Sequence, residues 1–130
     1  MEAHRETLTK KERISSPKDI SALISRGKFG GAGTGLRYCV LRGTECGLNR
    51  MMVSVPKKNF KRAVKRNLLK RRIRESFRKQ KHAIEGTGTD ILFIYEKKEI
   101  MTYGEIYEAV GKIIEKINGH EQRDTEKNRA

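Results

Sequence analysis

The sequence predicts an α/β protein: a two-layer sandwich of order α-β-β-α-β-α, with room for one further short strand, in which helices pack on a small, mixed, twisted sheet. Three observations lead to this fold class. Residues 36–42 and 50–56 combine β-branched, aromatic and other apolar side chains, as strands do. Residues 91–95 (ILFIY) are apolar throughout, which is typical of a strand covered on both faces. Apolar residues at helical spacing precede, separate and follow these segments.

The first helix is predicted over about residues 17–26. Ser16 precedes Pro17 in the way that an N-cap precedes the first helical residue. Asp19 lies in the first turn, where a carboxylate favours the helix dipole and can reach back toward the cap. Gly27 suits the C-cap, so the helix is expected to end there.

The connections that follow are glycine-rich. Residues 30–35 (GGAGTG) have no strand before them and no Gly-Lys-Ser/Thr after them, so a flexible connection is expected rather than a phosphate loop. Residues 43–49 (GTECGLN) supply a turn between the first two predicted strands. These two strands are therefore expected to form an antiparallel hairpin.

The last helix carries the clearest amphipathic pattern in the chain. Thr102 and Glu105 have the spacing of a capping box at its start. Apolar residues recur at three- and four-residue intervals over residues 106–117. Asn118-Gly119 is expected to end the helix.

Composition limits the class of protein. The chain has 130 residues, 35% hydrophobic and 35% charged, which suits one domain with a modest core. It has no apolar run near 18 residues and no charged-then-apolar leader, so neither a membrane span nor a secretory signal is expected. We expect a cytoplasmic location. Cys39 and Cys46 lack metal-site spacing, and we expect both to be buried and reduced.

The positive charge is concentrated in one part of the chain. The formal net charge is +14, and residues 57–81 contribute +12 of it, with thirteen Lys or Arg residues and one acid. Such a concentrated positive field indicates a docking surface for a polyanion. A solvated helix face and a nuclear-import signal are the alternatives, and both are weakened by the like charges and apolar positions described next.

Helical phasing divides residues 61–84 into two faces. Leu69, Ile73, Phe77 and Ile84 fall within about 80° of one another and form an apolar seam that can seat a helix on a sheet. A basic stripe lies beside the seam and consists of Asn67, Lys70, Arg71, Arg74 and Arg78. Like charges four residues apart repel each other, so surface stability alone would not select this stripe.

The residue types in this region favour nucleic acid as the polyanion. The guanidinium of Arg binds two phosphate oxygens at once. Lys57, Lys58, Lys61 and Arg62 extend the surface to the first turn of the helix, where backbone N–H groups also favour phosphate. Asn67 is the uncharged member, and it can read a base edge or a 2′-hydroxyl, or hold a neighbouring Arg in place. Aromatic residues are scarce here, so phosphate contacts should dominate.

The stretch PKKNFKRAVKRNLLKRRIRESFR (residues 56–78) resembles the signature of the bacterial ribonuclease P protein component. That family carries a Lys-Lys pair followed by a helix of pattern A-x-x-R-N-R-x-K-R-x-x-R. Lys57 and Lys58 match the pair. The helix pattern is matched by Ala63, Arg66, Asn67, Lys70, Arg71 and Arg74. A looser resemblance extends over about residues 8–117.

The resemblance implies a ribonucleoprotein that removes 5′ leaders from precursor tRNA. The RNA subunit would perform the hydrolysis with Mg²⁺, carried on that RNA or bridging it. The protein would bind this RNA and the precursor tRNA, with no small-molecule substrate, no catalytic residue and no metal site of its own. The implied RNA-binding residues are Lys57, Lys58, Lys61, Arg62, Arg66, Asn67, Lys70, Arg71, Arg74 and Arg78.

Two positions depart from the family pattern. Leu68 replaces the second arginine of R-N-R, so that contact is either missing or moved to Lys65 or Arg72. Ile20 and Ile24 stand where the family's first helix has aromatic residues that face a cleft for the single-stranded leader. The two isoleucines are thus leader-cleft candidates, and a simple core role is the alternative for both.

Polarity and hydrophobic periodicity along the chain give an expected domain organisation. We expect a mobile N-terminal arm over residues 1–11, a single RNA-binding α/β domain over residues 12–118 and a disordered charged tail over residues 119–130. Two other functions remain open at this point. One is a ribosomal or general structural RNA-binding protein, for which the same positive charge would serve. The other is a protein nuclease that works without an RNA subunit, in which Asp90 or Glu85 would be the catalytic acid.

Overall fold

The computed structural model describes residues 8–31 and 33–129, with side chains described as far as residue 119. The sheet contains four strands, and three helices pack on it. The strands are β1 (Lys28–Gly31), β2 (Leu36–Leu41), β3 (Arg50–Ser54) and β4 (Asp90–Tyr95). The helices are α1 (Pro17–Arg26), α2 (Ala63–Gln80) and α3 (Tyr103–Arg129). Short 3₁₀ turns occupy Lys10–Glu12 and Lys81–Ala83.

The predicted fold class and element order are confirmed, and β1 is the further short strand. It includes Gly30 and Gly31, which the sequence had placed in a flexible connection. The glycine at position 30 has a packing reason, because a Cβ there would lie 2.6 Å from the Tyr38 hydroxyl oxygen. The connection predicted from the glycine content is therefore shorter than expected.

The predicted hairpin between residues 36–42 and 50–56 is wrong. The strand order is β1-β2-β4-β3, so β4 lies between the two strands that were expected to pair. It pairs antiparallel with β2 and parallel with β3. The parallel pairing requires a crossover, which α2 supplies. In this central position the backbone of β4 forms hydrogen bonds to a strand on each side, and its side chains are covered on both faces of the sheet.

The sheet has two unequal faces. One carries the main core, in which Tyr38, Ile91 and Phe93 pack against α2 and α3. The other carries a small cluster in which α1 packs through Leu23 on Cys39, together with Ile14 and Leu92. The sandwich is therefore thick on the α2–α3 side and only partly covered on the α1 side.

The helix ends match the sequence in part. Thr102 and Glu105 form the predicted capping box, with reciprocal hydrogen bonds of 2.9 and 3.2 Å. Ser16 is the N-cap of α1 without a side-chain hydrogen bond, and Asp19 turns away from it to Arg50. The predicted end of α3 at Asn118-Gly119 is wrong, because one glycine costs a helix only about 1 kcal/mol.

Two further predictions concern the cysteines and the domain limits. Both cysteines are free and Cys39 is buried, but Cys46 is exposed on the loop that precedes β3. The limits at residues 12 and 118 stay predictions, as do the arm over residues 1–11 and the tail over residues 119–130. Residues 1–7, Ala32 and Ala130 lie outside the described residues.

Candidate nucleic-acid interface

The apolar seam holds α2 on the sheet. Leu69, Ile73 and Phe77 are fully buried, and Ile84 is buried just beyond the helix. The rings of Phe77 and Phe93 meet edge to face with centroids 5.8 Å apart. Burying an apolar side chain of this size contributes about 2 kcal/mol, so the seam fixes which side of α2 faces solvent.

The ten predicted RNA-binding residues lie on α2 and on the turn that leads into it. Six are exposed and four are partly buried. The exposed residues are Lys57, Lys58, Lys61, Arg62, Asn67 and Arg71, and the partly buried ones are Arg66, Lys70, Arg74 and Arg78. The structure therefore brings them together on α2 and the turn before it, at or near the surface.

The start of α2 is open to an anion. Arg62 is the N-cap and makes no side-chain hydrogen bond to the helix, and the first turn contains no acidic residue. The first N–H groups of a helix have no partners within it and carry a partial positive charge. Lys61 and Arg62 add their charges at the same place, so phosphate chemistry fits this end of the helix.

Arg66 has a structural bond as well as a charge. Its Nη1 donates to the carbonyl oxygens of Phe60 and Lys61, at 2.7 and 2.9 Å. Phe60 is itself buried against Tyr95, with ring centroids 5.7 Å apart. The guanidinium thus ties the basic turn to the helix.

Other cations of α2 are already engaged. Arg72 donates from Nη1 to the carbonyl of Met101 at 2.6 Å, which ties α2 to the start of α3. Arg78 forms an ion pair with Glu75 on the next turn. Of the two residues considered as replacements for the arginine missing at Leu68, Lys65 is exposed and Arg72 has this internal role.

Arg74 is partly buried and lies close enough to Arg13 to be influenced by its charge. Burial lowers the pKa of its guanidinium, and the charge of Arg13 lowers it further. Arg13 lies just before Ile14, which joins the sheet through a hydrogen bond from its N–H to the Met51 carbonyl at 2.9 Å. Sequence reasoning missed Arg13, because it lies more than 40 residues from the basic stripe and outside any motif.

The open face beside α1 contains the two leader-cleft candidates. Ile20 is partly buried and packs on the small cluster that includes Leu23 and Cys39, which fits its alternative core role. Ile24 is 49% exposed. Phe29 of β1 is 50% exposed and pairs with Cys39, so it lies on this same face of the sheet. Phe29 was not predicted from the sequence, where its signal is an aromatic residue just before the glycine-rich segment.

The two acids considered for a nuclease lie in different surroundings. Asp90 is 2% exposed and accepts from Nε and Nη2 of Arg50 at 2.9 and 2.7 Å. Glu85 is exposed on a loop, where its carbonyl accepts from Arg42. Within the described part of the chain, no three His, Cys, Asp or Glu side chains converge as metal ligands. None of the described helices is long and apolar enough to cross a membrane.

The fold and this surface define a small basic α/β protein with one helix suited to a polyanion. The chain belongs to the ribonuclease P family, whose model, described as Ribonuclease P, matches residues 8–118. A ribonuclease P protein component from Porphyromonas gingivalis is 31% identical over 121 residues, which cover 87% of this chain and 88% of the relative. One from Thermotoga petrophila is 30% identical over 120 residues, covering 88% and 98%.

Solved structures agree with this family. The RNase P protein from Thermotoga maritima superposes with a TM-score of 0.70 at 26% identity, covering 82% of this chain and 97% of that one. The Staphylococcus aureus RNase P protein gives a TM-score of 0.68 at 27% identity, covering 80% and 93%. The predicted family is confirmed by sequence and by fold.

Proposed function

We propose that this chain is the protein subunit of ribonuclease P, which binds the catalytic RNA of that enzyme and promotes removal of the 5′ leader from precursor tRNA. The proposal depends on one observation: α2 packs on the sheet through its apolar seam and presents basic residues at the surface. Its buried seam orients α2, and the ten basic-surface residues that match or adjoin the family signature lie on it or on the turn before it. A general polyanion binder would not need that signature.

The basic surface would dock on RNA mainly through phosphates. Arg71 and Lys70 offer charge at the middle of α2, and the open first turn offers N–H groups beside Lys61. Such contacts position an RNA without reading its sequence. Asn67 is exposed and uncharged, so it suits a single base edge or 2′-hydroxyl at the centre of the docked surface.

The partly covered sheet face would hold the single-stranded leader. Ile24 and Phe29 are each about half exposed there, and Ile20 packs beneath them on the small cluster. A half-exposed phenylalanine can stack on a base of any identity, which suits leaders of variable sequence. Phe29 would then provide the aromatic contact that the isoleucines of α1 do not.

The hydrolysis itself is assigned to the RNA. The described residues offer no cluster of metal ligands and keep Asp90 in a buried ion pair, so the protein side provides positioning and charge. Mg²⁺ would be held by the RNA subunit or bridge RNA, and it would supply the activation of the attacking water. The protein's positive surface would lower the Mg²⁺ concentration needed for the folded complex.

A reconstitution assay tests the proposal. The purified chain is mixed with ribonuclease P RNA and a precursor tRNA at low Mg²⁺, and 5′-leader removal is followed. We expect stimulation over RNA alone, with the leaderless tRNA as product. If the chain bound the RNA but did not stimulate leader removal, the result would instead support a structural RNA-binding protein. Cleavage by the protein without added RNA would support a protein nuclease.

A matched pair of substrates tests the leader contact separately. Precursor tRNA with a single-stranded leader is compared with mature tRNA for binding to the reconstituted complex. Phe29→Ala is expected to weaken binding of the precursor about tenfold and to leave mature tRNA unchanged, since a base stack contributes about 1–3 kcal/mol. Tyr107→Ala, an exposed aromatic on α3, is the control.

A further inference from the structure

A groove runs between the N-terminal segment, residues 8–14, and the solvent face of α2. Its volume is about 270 Å³, and four of its six lining residues are arginines. The lining consists of Leu8, Arg13, Arg71, Arg74, Glu75 and Arg78. The groove therefore joins three residues of the basic stripe to one arginine from a distant part of the chain.

The N-terminal segment is fastened at several points. Lys81, just after α2, donates to Glu12 at 2.7 Å, and both side chains are only 15% exposed. The backbone N–H of Thr9 donates to the same carboxylate at 3.0 Å. Leu8 packs against the main core. Arg13 is thus held beside α2 by its neighbours on both sides and by its own backbone, whose N–H donates to the Lys10 carbonyl at 3.1 Å.

The charges in this groove are not balanced. Glu75 is the acid among the lining residues, and it is paired with Arg78. Among residues 8–31 and 33–119, no carboxylate lies within ion-pair distance of Arg13, Arg71 or Arg74. Three uncompensated guanidinium groups that share a groove repel one another, and that repulsion is relieved when an anion enters.

We propose that this groove binds a backbone phosphate of the catalytic RNA, with Arg13 on one wall and Arg74 on the other. Guanidinium N–H groups on both sides would donate to the two non-bridging oxygens, and Arg71 would add charge at the open side. The segment from Leu8 to Ile14 is then part of the RNA-docking surface, and the ion pair between Glu12 and Lys81 holds this segment in position. This inference rests on the proposed function.

RNA binding by single variants gives the first test. Arg13→Gln is expected to weaken affinity for ribonuclease P RNA about tenfold and to lower the salt slope of log K by about one. Lys11→Gln, an exposed cation of the same segment outside the groove, is the matched control and should change affinity less than twofold. Equal effects of the two substitutions would overturn the inference.

A double variant tests whether the two arginines share one phosphate. If they do, Arg13→Gln and Arg74→Gln are coupled, and the double variant should lose about tenfold to thirtyfold rather than the hundredfold of independent contacts. Independent losses would contradict a shared ligand. If the wild-type chain did not bind the RNA, the proposed function would fail as well, which separates that result from failure of the groove alone.

The free protein gives a readout that needs no RNA. Inorganic phosphate, compared with chloride at equal ionic strength, should raise the Tm of the wild-type chain by about 3 °C more than that of Arg13→Gln. Lys11→Gln should respond to phosphate as the wild type does. The same Tm gain in all three proteins would show that phosphate acts elsewhere and would contradict the groove assignment.

Discussion

Arg50 joins two carboxylates from different elements at one end of the sheet. It donates to both oxygens of Asp90 on β4 and, at 3.0 Å, to Asp19 on α1. Hydrogen bonding to Asp90 raises the pKa of Arg50 above its ordinary value. The residue therefore stays charged and fixes α1 against the sheet, which keeps the partly covered face in place.

Removal of one partner should be costly. Asp90→Ala is expected to lower the free energy of unfolding by about 3 kcal/mol, because it leaves the largely buried guanidinium of Arg50 with only Asp19. Urea denaturation measures the loss. Glu96→Ala is the control, since its ion pair with Arg37 is 3.5 Å long and about half exposed, and it should change stability by less than about 0.5 kcal/mol. Similar losses in both variants would contradict the role of burial.

The carboxylate of Glu12 gives a pH-dependent contact. Burial raises its pKa, but hydrogen bonds from Lys81 and Thr9 outweigh burial, so the pKa lies below its ordinary value of 4.5. A group with a lowered pKa in the folded state stabilises the fold above its unfolded pKa. That contribution is lost as the pH falls through the lower, folded value.

We therefore expect Glu12→Gln to lower the free energy of unfolding by about 1 kcal/mol at pH 7. The difference from wild type should shrink as the pH falls below 4.5 and vanish at lower pH, where the wild-type carboxyl is protonated too. Denaturation curves over pH 3–7 (roughly the range in which a carboxyl with this shift titrates) measure it. Glu108→Gln, exposed on α3, controls for the loss of one charge. A constant difference at every pH would contradict the assignment.

At the scale of elements, the contact between α1 and β2 depends on a glycine. Gly27 ends α1 with φ −74°, a value open to any residue, so the left-handed conformation common at helix ends is not its reason. A Cβ at this position would lie 2.4 Å from the Leu23 carbonyl oxygen and 2.6 Å from the Cys39 Sγ. The close approach of helix and strand requires the absence of a side chain.

Gly27→Ala is expected to lower the free energy of unfolding by about 2 kcal/mol, because the helix end must move off the strand. Thermal denaturation measures the effect. Gly104→Ala is the matched control, since its nearest neighbour would be Thr102 Oγ1 at 4.0 Å, and a helical alanine should raise stability by about 0.5 kcal/mol. If Gly27→Ala were neutral, the space beside Cys39 would have to be larger than the structure gives.

At the scale of the molecule, charge and fold place the two proposed functions on two surfaces. The α2 side carries most of the net +14 charge, whereas the α1 side is a partly covered apolar sheet face. The helices that flank β4 in sequence, α2 and α3, pack on one face of the sheet, whereas α1 covers part of the other. We therefore expect that the proposed RNA docking and the proposed leader binding can be altered independently.

Salt dependence distinguishes residues that contact RNA from residues that support the surface. Arg66→Ala and Arg74→Ala should each lower the slope of log K against log salt by about one. Only Arg66→Ala should also lower the Tm, because it releases the carbonyls of Phe60 and Lys61. Lys112→Ala, exposed on α3, is the control with an unchanged slope. Unchanged slopes in both arginine variants would remove them from the interface.

The sequence by itself determined the features that depend on neighbours within one or two helical turns. The apolar seam, the basic stripe and the capping box of α3 follow from such local spacing, and the family motif lies within 23 consecutive residues. Only the tertiary structure decided the strand order, the pairing of Asp90 with Arg50, and the exposure of Phe29. It also placed Arg13 and Arg74 in the lining of one groove. These contacts join residues far apart in the chain, and their geometry depends on where a buried strand and its crossover helix come to rest. Local periodicity carries no information about that choice.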